Sequence, residues 1–240
     1  MANAISEHIL LTGAGFTANF NGFLAEGMWS EIFNHPEIQD RDNIKKMMVM
    51  DFDYETLYHK IIKSQSQELI SDDDKKAIKK AVYEAYLRLD DLIRNFNIHN
   101  FDNLPFAIRK LFGFFAGERD TVGIIFTLNQ DLFVERYYDG DKSLCLPGSE
   151  IPVIPRPADR QKKDKLSPED FITLKAKGKI ATISVNDLSH RELNYIKLHG
   201  SLNWESSDGS NMMVIGLDKQ SQISKEPLLD LYFDALMSDS

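Results

Sequence analysis

Ile9-Leu10-Leu11-Thr12-Gly13-Ala14-Gly15-Phe16-Thr17-Ala18 decides the fold class. A short apolar run of strand composition passes straight into a turn with G-x-G-x-x-A spacing, and then into the start of a helix. The first glycine permits the tight turn, the second lets a phosphate approach the backbone, and the small third residue lets helix and sheet pack closely. Two later stretches repeat the design of an apolar run ending in polar groups. Gly123-Ile124-Ile125-Phe126 leads into Thr127-Leu128-Asn129-Gln130-Asp131, and residues 193–196 lead into Lys197-Leu198-His199-Gly200. Each puts its polar group where a strand runs out, which is where open α/β sheets bind ligands. The expectation is an α/β fold with a Rossmann-like parallel sheet.

Between the first strand and the Asn129 strand lie roughly a hundred residues of mainly helical sequence, whereas a minimal crossover needs only about a dozen. A large helical insertion is therefore predicted over about residues 36–118. A helix over residues 19–34 precedes it, ended by His35-Pro36. Inside the insertion a helix runs from near Asp53 to about Lys63. Ser71-Asp72-Asp73-Asp74 then supplies an N-cap and an acidic first turn. Ile78, Val82, Ala85, Leu89, Leu92 and Phe96 follow at helical spacing. A further helix covers residues 105–115, with proline in its first turn. Beyond Asp131 a helix through about Tyr138 is expected, then a proline-bounded loop whose basic part spans about residues 155–168. Two β-rich runs, 171–175 and 179–185, read as a hairpin, and a helical segment covers residues 227–237.

A chain of 240 residues is long enough for one large domain over residues 1–240, and 42% apolar with 27% charged residues is ordinary for a globular protein. No apolar run approaches the ~20 residues of a membrane helix, and the N-terminus lacks a signal pattern. The expectation is a cytoplasmic protein without a membrane partner. The formal charge of -9 argues against general nucleic-acid binding, since phosphate backbones require clustered Lys and Arg. The basic cluster at residues 156–165 reads as a surface loop. The single cysteine, Cys145, excludes an internal disulfide and has no histidine near it in sequence.

Taken together, the three strand-end motifs resemble the sirtuin family of NAD-consuming enzymes. That pattern has a glycine-alanine-glycine phosphate loop, a T-x-N-x-D strand end and an L-H-G, here Gly13-Ala14-Gly15, Thr127-Asn129-Asp131 and Leu198-His199-Gly200. The surrounding wording is most similar to the sirtuin-like NAD hydrolases of bacterial anti-phage defence. Those tend to read GAGFT-N before a helix with alanine and tryptophan, here residues 23–33, and KLHGSLNW, here residues 197–204. The resemblance implies NAD as substrate, with Gly13, Ala14 and Gly15 as a diphosphate cradle and Phe16 and Thr17 lining the pocket. It implies Asn129 orienting ribose and water, His199 as the catalytic base, and supporting contacts from Asp131, Gly200 and Ser201.

The chain departs from the family in two places. Deacetylases carry two cysteine pairs for zinc after the L-H-G, whereas Cys145 stands alone and before it, so a four-thiolate zinc site is excluded. The family sheet also continues with another strand bearing a glycine-rich turn, so the expectation here is a domain truncated at its C-terminus. The resemblance further implies assembly as a homo-oligomer, with a partner sensor or ATPase subunit, or both.

Read as residues alone, several of these positions have plainer roles. Asn129 suits a strand-end turn before a helix, and Asp131 suits a helix cap. Asp53 and Glu55 read as acids at a helix N-terminus, and Trp204 as core or pocket wall. Five other histidines, at 8, 35, 59, 99 and 190, lack metal-ligand spacing. His199 stands apart because it follows an apolar strand and precedes Gly200-Ser201, and an unperturbed pKa of ~6.5 suits general-base work. The implied reaction is cleavage of the nicotinamide–ribose bond to nicotinamide and ADP-ribose. Alternatives are a sirtuin-type protein deacylase, a non-catalytic nucleotide-sensing or assembly domain, and a dehydrogenase. The last is disfavoured because no ribose-binding carboxylate is evident after the first turn.

Overall fold

The computed structural model describes residues 9–66, 69–96, 98–117, 122–138, 140–147, 192–206 and 209–238. The fold is mixed α/β, built on a four-stranded parallel sheet. Its centre is formed by β2 (Gly123–Thr127) and β4 (Leu193–Lys197), both buried along their whole length. Strands buried on two faces read as unbroken apolar runs, which suits Ile124-Ile125-Phe126. β4 carries polar residues and satisfies them: Asn194 donates to the Gly123 carbonyl at 3.0 Å, and Tyr195 donates to Glu135 at 3.4 Å. β1 (Ile9–Thr12) lies on one edge and the two-residue β3 (Leu144–Cys145) on the other, in the order β1-β2-β4-β3. Gly123 is required by close approach, since a Cβ there would sit 2.0 Å from the Phe115 carbonyl oxygen.

After β1 the chain makes a short helix, α1 (Ala14–Ala18), then turns through Asn21 at φ 63° before α2 (Ala25–Phe33) begins. The expected single helix over 19–34 is therefore replaced by a turn and a later helix. Two amides, of Phe20 and Gly22, converge on the Thr17 carbonyl at 2.9 and 3.0 Å, which closes the first helix. The predicted insertion is a helical layer of α3 (Pro36–Gln39), α4 (Asp42–Met50), α5 (Tyr54–Lys63), α6 (Asp72–Asn95) and α7 (Leu104–Phe114). His35, at the predicted break, caps α3: its Nδ1 accepts from the Glu37 amide at 3.2 Å, while Nε2 contacts Glu84 at 2.7 Å.

The long helix α6 has the start its sequence requires. Ser71 and Asp74 form a reciprocal capping box. Its buried stripe includes Ile78, Val82, Ala85 and Leu89, then passes to Asp90 and Ile93, with Leu92 only half-buried. Asp90 is there because Arg136 of α8 (Phe133–Tyr137) pairs with it inside the core. The pair ties the insertion to the segment that follows Asn129.

Past β4 the chain forms a two-stranded antiparallel hairpin, β5 (Gly200–Glu205) with β6 (Asn211–Met213), then α9 (Lys219–Ile223) and α10 (Pro227–Ser238). Leu228, Leu229 and Tyr232 of α10 are buried, and the Tyr232 hydroxyl donates to the Pro147 carbonyl at 2.9 Å. Trp204 is a core residue beside Tyr232. The proposed hairpin at 171–185 and the basic loop at 155–168 lie outside the described residues. Among the described residues, no helix is long and apolar enough to cross a membrane, and no group of His, Cys, Asp and Glu could hold a metal ion.

Candidate active site

Register is what assembles the site. Thr12 is paired with Thr127, and Thr127 with Lys197, so the three strands end level. The ladder runs one residue further, with the Leu128 amide donating to the Thr12 carbonyl at 3.1 Å and the Leu198 amide to the Thr127 carbonyl at 2.9 Å. Gly13, Asn129 and His199 therefore leave the sheet together at its C-terminal edge. They line one cavity of about 320 Å³, at the small end of the ~300–1,000 Å³ typical of ligand pockets.

Ala14, Thr17 and Asp131 also line this cavity. The Asn129 side-chain amide donates to the Thr17 hydroxyl at 3.3 Å, and that hydroxyl donates to the Ala14 carbonyl at 3.3 Å. The Thr127 hydroxyl accepts from the Asn129 main-chain amide at 3.1 Å, which holds the residue at the strand end. Asp131 keeps its capping role as well, accepting from the Phe133 amide at 3.0 Å.

Not every predicted residue faces the cavity. Gly15 and Phe16 are not among its lining residues, and Phe16 packs edge-on against Phe112 and Phe133. Phe16 thus anchors α1 to the core. Gly200 and Ser201 lie outside the lining too, and their work is to shape the chain around His199. Gly200 has φ 72°, and a Cβ on it would meet the Met212 carbonyl oxygen at 2.0 Å. Ser201 is wholly buried, donating to Asn203 at 2.8 Å and accepting from Lys197 Nζ at 2.8 Å.

Lys197 is the unexpected charge here. It is fully buried at the end of β4, where it donates to Glu135 at 3.0 Å and to the Asp131 carbonyl. An ammonium in the interior is tolerated only when paired and hydrogen-bonded, and this one has three oxygen partners.

The insertion supplies the opposite wall, which the motifs did not reveal. Tyr54, Glu55 and Tyr86 line the cavity, with the two tyrosine hydroxyls 3.0 Å apart. Asp53 caps α5 as expected, accepting from the Glu55 amide at 3.0 Å, and lines the cavity as well. Glu55 pairs with Lys219 of α9 at 2.8 Å, and Lys219 is a further lining residue. The acids at 53 and 55 therefore do more than cap a helix. The signal for this in the sequence is the stretch Asp51-Phe52-Asp53-Tyr54-Glu55, whose wording also resembles the defence family, although as residues alone it reads as a helix N-terminus.

Electrostatics separate two ionisable groups of the cavity, His199 and Asp131. Burial pushes the His199 imidazolium down to about 4, with the Lys219 ammonium lowering it further and the Leu128 backbone opposing. His199 is therefore neutral, and able to accept a proton, across the neutral range. Burial pushes Asp131 up to about 6, although Lys197 and the Phe133 amide pull the other way.

Comparison of the chain with models of protein families found no match, and comparison with curated proteins found none. The functional reading therefore rests on the geometry and on the three motifs.

Proposed function

We propose that this chain is an NAD-cleaving hydrolase with a Rossmann-like, sirtuin-like domain. The observation that carries the reading is the meeting of Gly13, Asn129 and His199 on one cavity, although the three motifs are widely separated in sequence. A glycine turn that can receive a diphosphate, an amide held at a strand end and a neutral imidazole are together able to support hydrolysis of a nicotinamide–ribose bond.

In this reading the bond between C1′ of the ribose and the nicotinamide nitrogen breaks, and its electron pair leaves with nicotinamide. The ribose passes through an oxocarbenium-like state. Water adds to C1′, its oxygen forming the new bond while His199 takes its proton, and ADP-ribose results. Asn129 orients the water or a ribose hydroxyl, since its amide is already held by Thr17. The glycine turn and α1 receive the diphosphate. Asp131 supports Asn129 through the backbone geometry of the turn they share. On the resemblance alone, the reading extends to a bacterial anti-phage effector in the cytoplasm, acting as an oligomer or with a sensor or ATPase partner. It requires no zinc.

The test is incubation of the protein with NAD and measurement of nicotinamide and ADP-ribose. Wild-type turnover with loss in Asn129→Ala and His199→Ala is the expected result. General-base contributions are about 10²–10⁴-fold, so the loss should be plain. Undiminished turnover in folded His199→Ala would sink the mechanism.

A further inference from the structure

Gln130 stands between Asn129 and Asp131 and lines the same cavity, and its side chain is tied to the chain at His199. It is 4% exposed, and its Nε2 donates to the Val214 carbonyl at 2.8 Å and to the His199 carbonyl at 3.3 Å. Those two residues are themselves joined, because the Val214 amide donates to the same His199 carbonyl at 2.9 Å. The Gln130 main chain grips the strand just after the histidine: its carbonyl accepts from the Leu202 amide at 3.0 Å.

One residue of the Asn129 turn thus holds both the His199 carbonyl and the chain just beyond it. A primary amide is suited to this because one nitrogen carries two hydrogens, one for each carbonyl. A glutamate in its place would set a carboxylate against two carbonyl oxygens, and asparagine would fall a methylene short. The amide's orientation has a cost. Gln130 Oε1 is buried without a hydrogen-bond partner among the described residues, and leaving such a group unsatisfied is unfavourable. Turning the amide over would set its oxygen against both carbonyls and take from Val214 the donor its carbonyl has here, so the NH₂ stays where it is.

We infer that Gln130 is a positioning residue that locks His199 to Asn129, so that the base and the amide hold one fixed spacing across the cavity. The inference rests on the NAD-hydrolase reading for its kinetic consequence, but its structural content can be read from His199 alone.

The test uses Gln130→Met, which keeps the length and loses the donors, and Gln130→Asn, which keeps the donors and loses the reach. Two readouts are taken: imidazole NMR signals of His199 in isotope-labelled protein without NAD, and kcat and KM for NAD. The expected result is displaced His199 signals in both variants, with KM within about twofold of wild type. A misplacement of about 1 Å costs on the order of 10²-fold in rate, so kcat should fall towards that extent. A purely structural loss would lower the folded fraction and leave the His199 signals of the folded population unmoved. Unmoved signals with wild-type kcat in either folded variant overturn the inference. Displaced signals in a protein that does not turn over NAD support the lock and overturn the NAD reading instead.

Discussion

Asn129 and Thr17 lie 112 positions apart in the chain, and the side-chain amide of the first donates to the hydroxyl of the second at 3.3 Å. That single bond joins the glycine-turn helix to the strand end where the proposed chemistry occurs. Thr17→Val keeps the shape and removes the hydroxyl. The expected outcome is a fall in the rate of nicotinamide release with a small change in melting temperature, since a neutral hydrogen bond is worth only about 0.5–1.5 kcal/mol. Steady-state kinetics beside a thermal melt checks it.

The acid limb of the pH profile should lie well below that of an ordinary histidine. With the His199 pKa near 4, the base form persists as pH falls through 6.5, and activity in the free enzyme should be lost only as pH approaches about 4. Lys219→Met removes a nearby cation and leaves the Glu55 carboxylate unpaired, and both changes favour the imidazolium. The limb should therefore move to higher pH in the variant. A limb that stays put would show that burial alone sets it.

Asp131 and His199 pull stability in opposite directions with pH. The folded His199 refuses a proton that the unfolded chain accepts between pH 6.5 and about 4, so its contribution is lost as pH falls through that window. The folded Asp131 holds a proton that the unfolded chain releases between 3.8 and about 6, so its contribution is lost as pH rises. Asp131→Asn removes the second effect and leaves the first. The variant's melting temperature should then drop more steeply than that of the wild type between pH 6.5 and 4.5.

Lys197→Met should be among the most damaging substitutions outside the cavity. It leaves Glu135 buried beside Tyr195 without its cation. Breaking one partner of a buried pair typically costs about 3–5 kcal/mol. For a chain of this size each kcal/mol lowers the melting temperature by roughly 2–4 °C, so calorimetry should register a large shift. A change within error would mean that the buried ion pair contributes no net stability.

Gly200→Ala tests the turn behind His199. Left-handed backbone costs an L-residue roughly 1–2 kcal/mol, and here the new Cβ would also collide with the Met212 carbonyl oxygen at 2.0 Å. Both stability and His199 placement should suffer, visible as a lower melting temperature together with displaced His199 NMR signals.

Much of the framework was legible because each strand announces itself twice, by an apolar run and by the polar group that stops it. The apolar runs at 9–12, 123–126 and 193–196 all lie in strands, and β2 and β4 each run one residue further, to Thr127 and Lys197. α6 was legible from its Ser71 cap and its 3.6-residue period. α4 was not, because Met47-Met48-Val49-Met50 is apolar throughout and hides which face is inward: Met48 is buried and Met50 exposed. β3 has only two residues, too few for a pattern. His199 could be picked out by what it follows, whereas Asn129 was singled out by the resemblance, since as a residue alone it reads as a turn. Gln130 could not be picked out, since its partners are carbonyls on residues 69 and 84 positions away, and a carbonyl leaves no mark in a sequence.

Because β1 pairs with β2 across the whole helical insertion, the sheet closes a loop of roughly 110 residues, and entropy makes such closures slow compared with local helix packing. The insertion, rich in neighbouring-helix contacts, can fold before that closure; β1 cannot seat until β2 is in place. A partly folded chain thus possesses Asn129 and the insertion wall but lacks the glycine turn opposite them. The cavity therefore exists only once this long-range pairing has formed.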